Sequence, residues 1–250
     1  MNVLIGYSAC HKTREAFADA GIDAWTCDLL PARDGNEDRH IQGDVWDALR
    51  SRQWDAAVLH PMCTFLTVSA AWAFNDADFD RYPNVGYHQR VKPGTLTGAA
   101  RRAARDEALA NFRALLDLPF PVACENPASS FINTAIRPYD QVVHPYQFGD
   151  DASKATGLWL TKGLPPLVPT NYCEPRLVCE NRHVFAYGLQ KCPTCSSERY
   201  LPRWANQTDG GQNKLTPGDD RWLKRSETYP GIAAAMGDQW GRWLQARAGR

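Results

Sequence analysis

Short apolar runs alternate with amphipathic stretches from the first residues onward. "VLIGYS" (Val3 to Ser8) is too short for a helix and predicts a buried strand. "HKTREAFADAG" follows with helical spacing and closes on Gly21, a residue suited to the left-handed position after a helix. "DAWTCDLLP" predicts a second strand, with Asp28 near its C-terminal end. "DVWDALRSR" predicts a short helix and "AAVLHP" a third strand. Between Trp72 and Gly98 the period is lost. A long helix is then expected from the apolar stripe Ala104, Ala108, Phe112, Leu115 and Leu116, stopping before Pro119. "PVACENP", "QVVHPYQFG" and "GLWLTKG" predict further strands. The tail "PGIAAAMGDQWGRWLQARAG" predicts a helix with Ile232, Met236, Trp240 and Trp243 on one face.

Strand and helix alternate at the start of the chain, so the expected class is α/β, with a mostly parallel sheet and helices on both faces. Pro165, Pro166 and Pro169 mark a compositional boundary. The expected division is a main domain over 1–165 and 216–250, with a cysteine-rich, polar insert over 166–215.

Composition narrows the function classes. The 250 residues carry 28 basic and 28 acidic side chains, so the formal charge is zero and general adhesion to polyanions is not implied. A nucleic-acid partner must rest on local clustering of basic residues. No segment approaches the roughly 20 apolar residues that span a bilayer, and "MNVLIGYSAC" lacks a signal-peptide pattern. The expectation is a soluble, cytoplasmic protein with no membrane partner. Its eight cysteines are then expected as thiols or metal ligands.

Ligands of open parallel sheets sit beyond the carboxyl ends of the strands. Four predicted strands end there in reactive or polar groups: Tyr7 and Ser8, Asp28, Cys63, and Glu125 with Asn126. Cys63 stands in the turn after a strand, behind Pro61, as a nucleophile would. Glu125 supplies an acid partner from another strand. Asp28 suits the hydroxyls of a ribose, and Asp44 is a further candidate for contacting a nucleoside. No phosphate-binding glycine loop of the Walker type is present. Plainer readings stand beside these. Cys63 is also explicable as a buried thiol, and Cys10, Cys27 and Cys124 are expected in the core. Asp28 and Asp44 are also placed to cap helices. Trp240 and Trp243 are expected in the core.

Cys173, Cys179, Cys192 and Cys195 are spaced C-x5-C-x12-C-x2-C. The Cys-Pro-Thr-Cys knuckle lets two thiolates share one tetrahedral zinc, and His183 is an alternative to Cys173 as a ligand. Four protein ligands imply a closed, structural site, which would supply order that this polar stretch cannot draw from a core.

"HPMCTFL" and "CENP", in that order, resemble the nucleophile and Glu-Asn motifs of the cytosine-C5 DNA methyltransferases. "VLIGYSACHKTREAFADAGIDAWTCDLLP", "HIQGDV", "KATGLWL", "GLPPLVPTN" and "RSETYPGIAAAMGDQWG" resemble a compact phage and bacterial branch of methyltransferase-like proteins. The resemblance implies a Rossmann-like methyltransferase fold, S-adenosylmethionine as cofactor and DNA as partner, in a bacterial or phage-infected cell. It implies addition of Cys63 to C6 of a flipped cytosine, with Glu125 and Asn126 at the base and Lys154 in place of the family's arginine. Tyr7, Ser8, Asp28, Asp44 and His60 form the implied cofactor-binding set. The loop after Cys63, with Trp72, Phe74, Phe79, Arg81, Tyr82, Tyr87, Arg90 and Lys92, is placed to close over the base, and the insert to read the target. The chain departs from the family at "GYSACHK", where glycines are usual, and at Met62, where a second proline is favoured. Two alternatives follow from those departures. One is a pyrimidine-C5 modifying enzyme with another electrophile or a free nucleotide substrate. The other is a catalytically inactive nucleic-acid-binding homologue.

Overall fold

The computed structural model describes residues 1–76, 94–216, 218 and 221–249. Of the expected lid residues, Phe79, Arg81, Tyr82, Tyr87, Arg90 and Lys92 lie outside that set, while Phe74 is buried against Phe131. The chain opens with β1 (Asn2–Gly6), α1 (Lys12–Asp19) and β2 (Asp23–Asp28), then β3 (His40–Gln42), α2 (Val45–Ser51) and β4 (Ala56–Leu59). α3 (Gly98–Leu116) leads to β5 (Val122–Pro127), α4 (Ile132–Ala135), β6 (Gln141–Val143) and β7 (Thr156–Leu160). Seven strands form one sheet in the order β3-β2-β1-β4-β5-β7-β6. β1 to β5 pair in parallel, and β7 runs antiparallel to both its neighbours. This is the expected mixed α/β class, Rossmann-like in layout.

The alternation of side chains along β1 explains the two cores. Val3 and Ile5 point to one face, where they meet Phe17 of α1 and the terminal helix residues Ile232, Met236, Trp240 and Leu244. Leu4 points to the other face, against Val45 and Leu49 of α2, Phe112 and Leu115 of α3, and Ile132 of α4. Each fully buried aliphatic or aromatic side chain contributes about 1.5–3 kcal/mol. α1 ends as its sequence predicts: Gly21 takes φ +75°, and its N–H donates to the Ala18 carbonyl at 2.8 Å.

The terminal helix runs from α6 (Pro230–Ala235) through a π turn (Met236–Trp240) into α7 (Gly241–Ala248), after a short α5 (Arg221–Ser226). Its buried face falls on Ile232, Met236, Trp240 and Leu244, while the expected Trp243 is only partly buried. A spacing of four drifts around an α-helix of 3.6 residues per turn. The wider π turn absorbs that drift and brings Leu244 inward. Gly237 permits a close approach to α1, since a Cβ there would stand 2.3 Å from the Ala16 carbonyl oxygen.

A second sheet, in the order β10-β8-β9, is formed by β8 (Arg176–Cys179), β9 (Val184–Phe185) and β10 (Tyr200–Arg203). Its own small core holds Leu177, Cys179, Phe185 and Cys192. A stack joins it to the main body: the rings of Tyr146 and Trp204 lie 4.1 Å apart at 11°. Asn206 adds two bonds to the backbone of Ser153, at 2.9 and 3.0 Å. Among the described residues no helix is long and apolar enough to cross a membrane.

Candidate active site and metal centre

From β1 the chain winds outward through β2 to β3, then crosses to β4 and β5 on the other side. The order therefore reverses between β1 and β4, and a crevice at such a switch point is where open α/β sheets bind ligands. Tyr7 and Ser8 leave β1 there, and His60 to Cys63 leave β4. Because β7 is antiparallel, its entry lies at the same carboxyl edge, and Lys154 arrives beside the end of β5.

Leu59 pairs with Cys124, so the next residues, His60 and Glu125, are neighbours across the sheet. His60 Nδ1 contacts Glu125 Oε2, and Lys154 Nζ lies 3.7 Å from Oε1. Burial pushes the Glu125 carboxyl up. The charges of His60 and Lys154, with the His60 hydrogen bond, outweigh it and hold the group at about 2. Glu125 is therefore an ionised carboxylate, 16% exposed, with partners on both oxygens. The next residue, Asn126, is buried. Its Nδ2 donates to the Pro61 carbonyl at 2.9 Å, tying the β5 exit to the β4 exit, while its Oδ1 has no partner among the described residues. Cys63 is exposed, so its structure is not that of a buried core thiol. Its carbonyl accepts from the N–H groups of Leu66 and Thr67, each at 3.0 Å, which closes the turn that carries it.

The cofactor-side residues are distributed differently. Tyr7 takes φ +58°, a costly conformation for a bulky residue. Its hydroxyl accepts from Asn111 Nδ2 at 3.3 Å, and burial pushes the phenol up. Ser8 is buried, and its hydroxyl accepts from the Cys10 N–H at 3.3 Å. Asp28 Oδ1 accepts from the Leu30 N–H at 3.0 Å. Asp44 caps α2, accepting from the Trp46 N–H at 2.8 Å, as the plainer reading expects. His60, expected at the cofactor from sequence, has its ring against Glu125. Cys10, Cys27 and Cys124 are buried, and burial pushes Cys27 up to about 12 and Cys124 well above the ordinary thiol range.

Sequence reasoning missed Arg101. It is 5% exposed, and donates to the carbonyls of Thr64 (3.0 Å), beside Cys63, and Leu96 (3.3 Å). Its signal was a charge on the apolar face of α3, three residues before Ala104. A small recess beside Glu125 is lined by Lys154, Thr156, Thr228, Tyr229 and Met236. A broader concavity lies at the opposite, amino end of β2, between Arg14, Asp23, Asn36 and Arg39, and none of the expected site residues lines it. Its charges are satisfied by Arg14–Asp34 and Arg39–Asp23 pairs.

In the second sheet, the ligand atoms of Cys179, His183, Cys192 and Cys195 all lie within 4.8 Å of one another, close enough to hold a metal ion. Cys179 and Cys195 sulfurs are 3.7 Å apart, as are the Cys192 sulfur and His183 Nδ1. A tetrahedral ion with metal–sulfur bonds of about 2.3 Å separates its sulfurs by about 3.8 Å. The expected set of Cys173, Cys179, Cys192 and Cys195 is thus corrected at one position. Cys173 lies before the start of β8, whereas Cys179 ends that strand and its N–H donates to the His183 carbonyl at 3.1 Å, closing a turn. The Cys173 backbone is held elsewhere, donating to the Tyr146 carbonyl (2.7 Å) and accepting from Trp204 Nε1 (3.1 Å). Arg182 and Ser196 take positive φ, one just before His183 and one just after Cys195. Asn181 donates to the Cys195 sulfur at 3.4 Å, and this bond leads the contacts that hold that thiol down at about 6. Asn181 is a supporting residue that spacing alone did not single out.

No family model matches the chain, and no curated protein matches it.

Proposed function

We propose that the protein is an S-adenosylmethionine-dependent DNA methyltransferase acting at C5 of cytosine, as its motif order implies. The observation that carries this reading is the pair of neighbouring strand exits, β4 and β5, beside the switch point. One presents the exposed Cys63 thiol, and the other presents the ionised Glu125 carboxylate held by His60 and Lys154. The exposed thiol adds little packing to the fold, and the half-enclosed carboxylate depends on its two partners to stay ionised.

In this reading the Cys63 thiolate forms a bond to C6 of the base, and the electrons of the C5–C6 double bond make C5 nucleophilic. The Glu125 carboxylate accepts from the exocyclic amino group and from N3–H once N3 has taken a proton from solvent, and that proton leaves N3 when the ring regains its aromaticity. When bound, S-adenosylmethionine supplies an electrophilic methyl group for C5. A base then takes the C5 proton, the C6–sulfur bond breaks, and the aromatic ring and the thiolate return. Asn126 fixes the spacing of the two exits through Pro61.

The donor set fits the cofactor chemically. Asp28 and Asp44 follow adjacent strands and each engages one oxygen with a local N–H, leaving the other for ribose hydroxyls or an amine. Tyr7 to Cys10 form the turn that would face it. The metal in the second sheet is read as zinc in a closed Cys3His site, which orders the insert and takes no part in chemistry. The insert itself is read as the element that contacts the target DNA.

The test is nucleoside mass spectrometry of DNA after incubation with the protein and the cofactor. The reading expects 5-methylcytosine from the wild type and none from Cys63→Ala. Methylation that survives Cys63→Ala removes the nucleophile. A mass gain other than one methyl replaces the electrophile.

A further inference from the structure

The two oxygens of Glu125 are held unequally. Oε2 meets His60 Nδ1 directly. Oε1 faces Lys154 Nζ at 3.7 Å, beyond hydrogen-bond length, while that ammonium donates to the Arg225 carbonyl at 3.2 Å. Lys154 therefore gives Glu125 charge, and His60 gives it direction. The His60 ring is only 12% exposed, and its Nε2 has no partner among the described residues, so Glu125 is the anchor of the ring that the structure describes. The neighbouring titratable groups come from three elements: His60 leaving β4, Lys154 entering β7, and Glu227 and Tyr229 ahead of α6. Glu227 is already paired with Lys12 (3.1 Å) and Arg33 (3.2 Å), which turns its charge away from the carboxylate.

We infer that His60 is a positioning residue, whose Nδ1–H fixes the rotamer and the ionised form of Glu125 and leaves Oε1 free to meet the pyrimidine. The inference rests on the methyl-transfer reading for what Glu125 touches. The arrangement exists because β4 and β5 pair in parallel with Leu59 beside Cys124, which delivers a histidine and a glutamate to one row. An ionised carboxylate is an acceptor only, so the proton of this contact belongs to the imidazole nitrogen. Burial works against the ionised carboxylate, and with His60 gone only Lys154 opposes it.

The experiment compares three variants of the full chain. His60→Asn keeps an N–H donor near the Nδ1 position, His60→Gln moves it toward the Nε2 position, and His60→Leu removes it. Two readouts are taken. One is carbon-13 titration of the Glu125 carboxyl, assigned with Glu125→Gln. The other is the pH profile of adduct formation with DNA containing 5-fluorocytosine. In His60→Leu, Glu125 is expected to titrate at higher pH than in the wild type. The adduct rate should fall about 100-fold, with an acid limb displaced upward and DNA affinity unchanged. His60→Asn should recover most of the rate and His60→Gln little of it. If His60→Leu does not fold, the Asn and Gln pair carries the comparison. An unchanged carboxyl titration in Leu or Gln overturns the inference, as does equal loss in Asn and Gln. The titration needs no turnover. If no cytosine is modified at all, a displaced Glu125 resonance still supports the His60 contact, and the methyl-transfer reading fails alone.

Discussion

Asn206 and Ser153 hold each other by two hydrogen bonds, Ser153 N–H to Asn206 Oδ1 at 2.9 Å and Asn206 Nδ2 to the Ser153 carbonyl at 3.0 Å. The next residue is Lys154, whose ammonium faces Glu125. The seam between the sheet that carries the Cys/His cluster and the main body thus runs directly into the candidate active site. Ala205 N–H adds a bond to Asp151 Oδ1 at 2.8 Å on the same segment. Asn206→Ala is expected to lower stability by about 1–3 kcal/mol, two modest hydrogen bonds being lost. Thermal unfolding measures that cost. Methyl transfer should fall with it, by more than in an exposed control such as Arg199→Ala.

The metal centre makes a prediction that separates two cysteines. Cys192→Ser and His183→Ala are expected to lose bound metal, whereas Cys173→Ser is expected to retain it, because Cys173 lies outside the cluster. Elemental analysis of purified protein decides this. Metal loss from Cys173→Ser would restore the four-cysteine set. Chelation should expose the β8–β10 region to proteolysis before the main sheet, since its own core is small.

Stability should depend on pH through Glu125. Its folded-state pKa, about 2, lies below the ordinary carboxylate value of 4.5. A depressed value means that the stabilisation is present above about pH 4.5 and is lost as pH falls toward 2. Comparing Glu125→Gln with the wild type by denaturant unfolding should show a gap at neutral pH of at most about 3 kcal/mol. The gap closes on acidification. A gap that is constant from pH 7 to pH 3 contradicts the assignment.

Asp28 and Asp44 can be tested apart from their local hydrogen bonds. Asparagine still caps a helix or turn, so Asp28→Asn and Asp44→Asn should change the melting temperature little. Affinity for S-adenosylmethionine, measured by calorimetry, should fall by about tenfold or more where the free oxygen contacts the cofactor. Unchanged affinity in both variants leaves the two residues as caps.

Much of the architecture was legible because the central strands are buried on both faces and read as continuous apolar runs, as in "VLIG" and "AAVL". β3 was missed because a three-residue edge strand has too little sequence to show a period. The strands of the second sheet were missed because β10 buries none of its four residues and contains a proline. The Trp243 expectation gave way to Leu244 because a π turn leaves no mark in a simple helical stripe. In the site, Cys63 and Glu125 were visible as strand-end chemistry. The partnership of His60 was not, because it depends on which row of β4 faces which row of β5. His183 displaced Cys173 for a similar reason: a turn closed by backbone bonds, not linear spacing, decides which side chains converge.

The most direct measurement of the central claim is covalent trapping on DNA in which cytosine carries fluorine at C5. With S-adenosylmethionine present, the wild-type protein is predicted to form a complex that survives denaturation, and peptide mapping is predicted to find the nucleotide on Cys63. A protein that yields no such complex while modifying ordinary cytosine, or one that carries the nucleotide on another residue, contradicts the account.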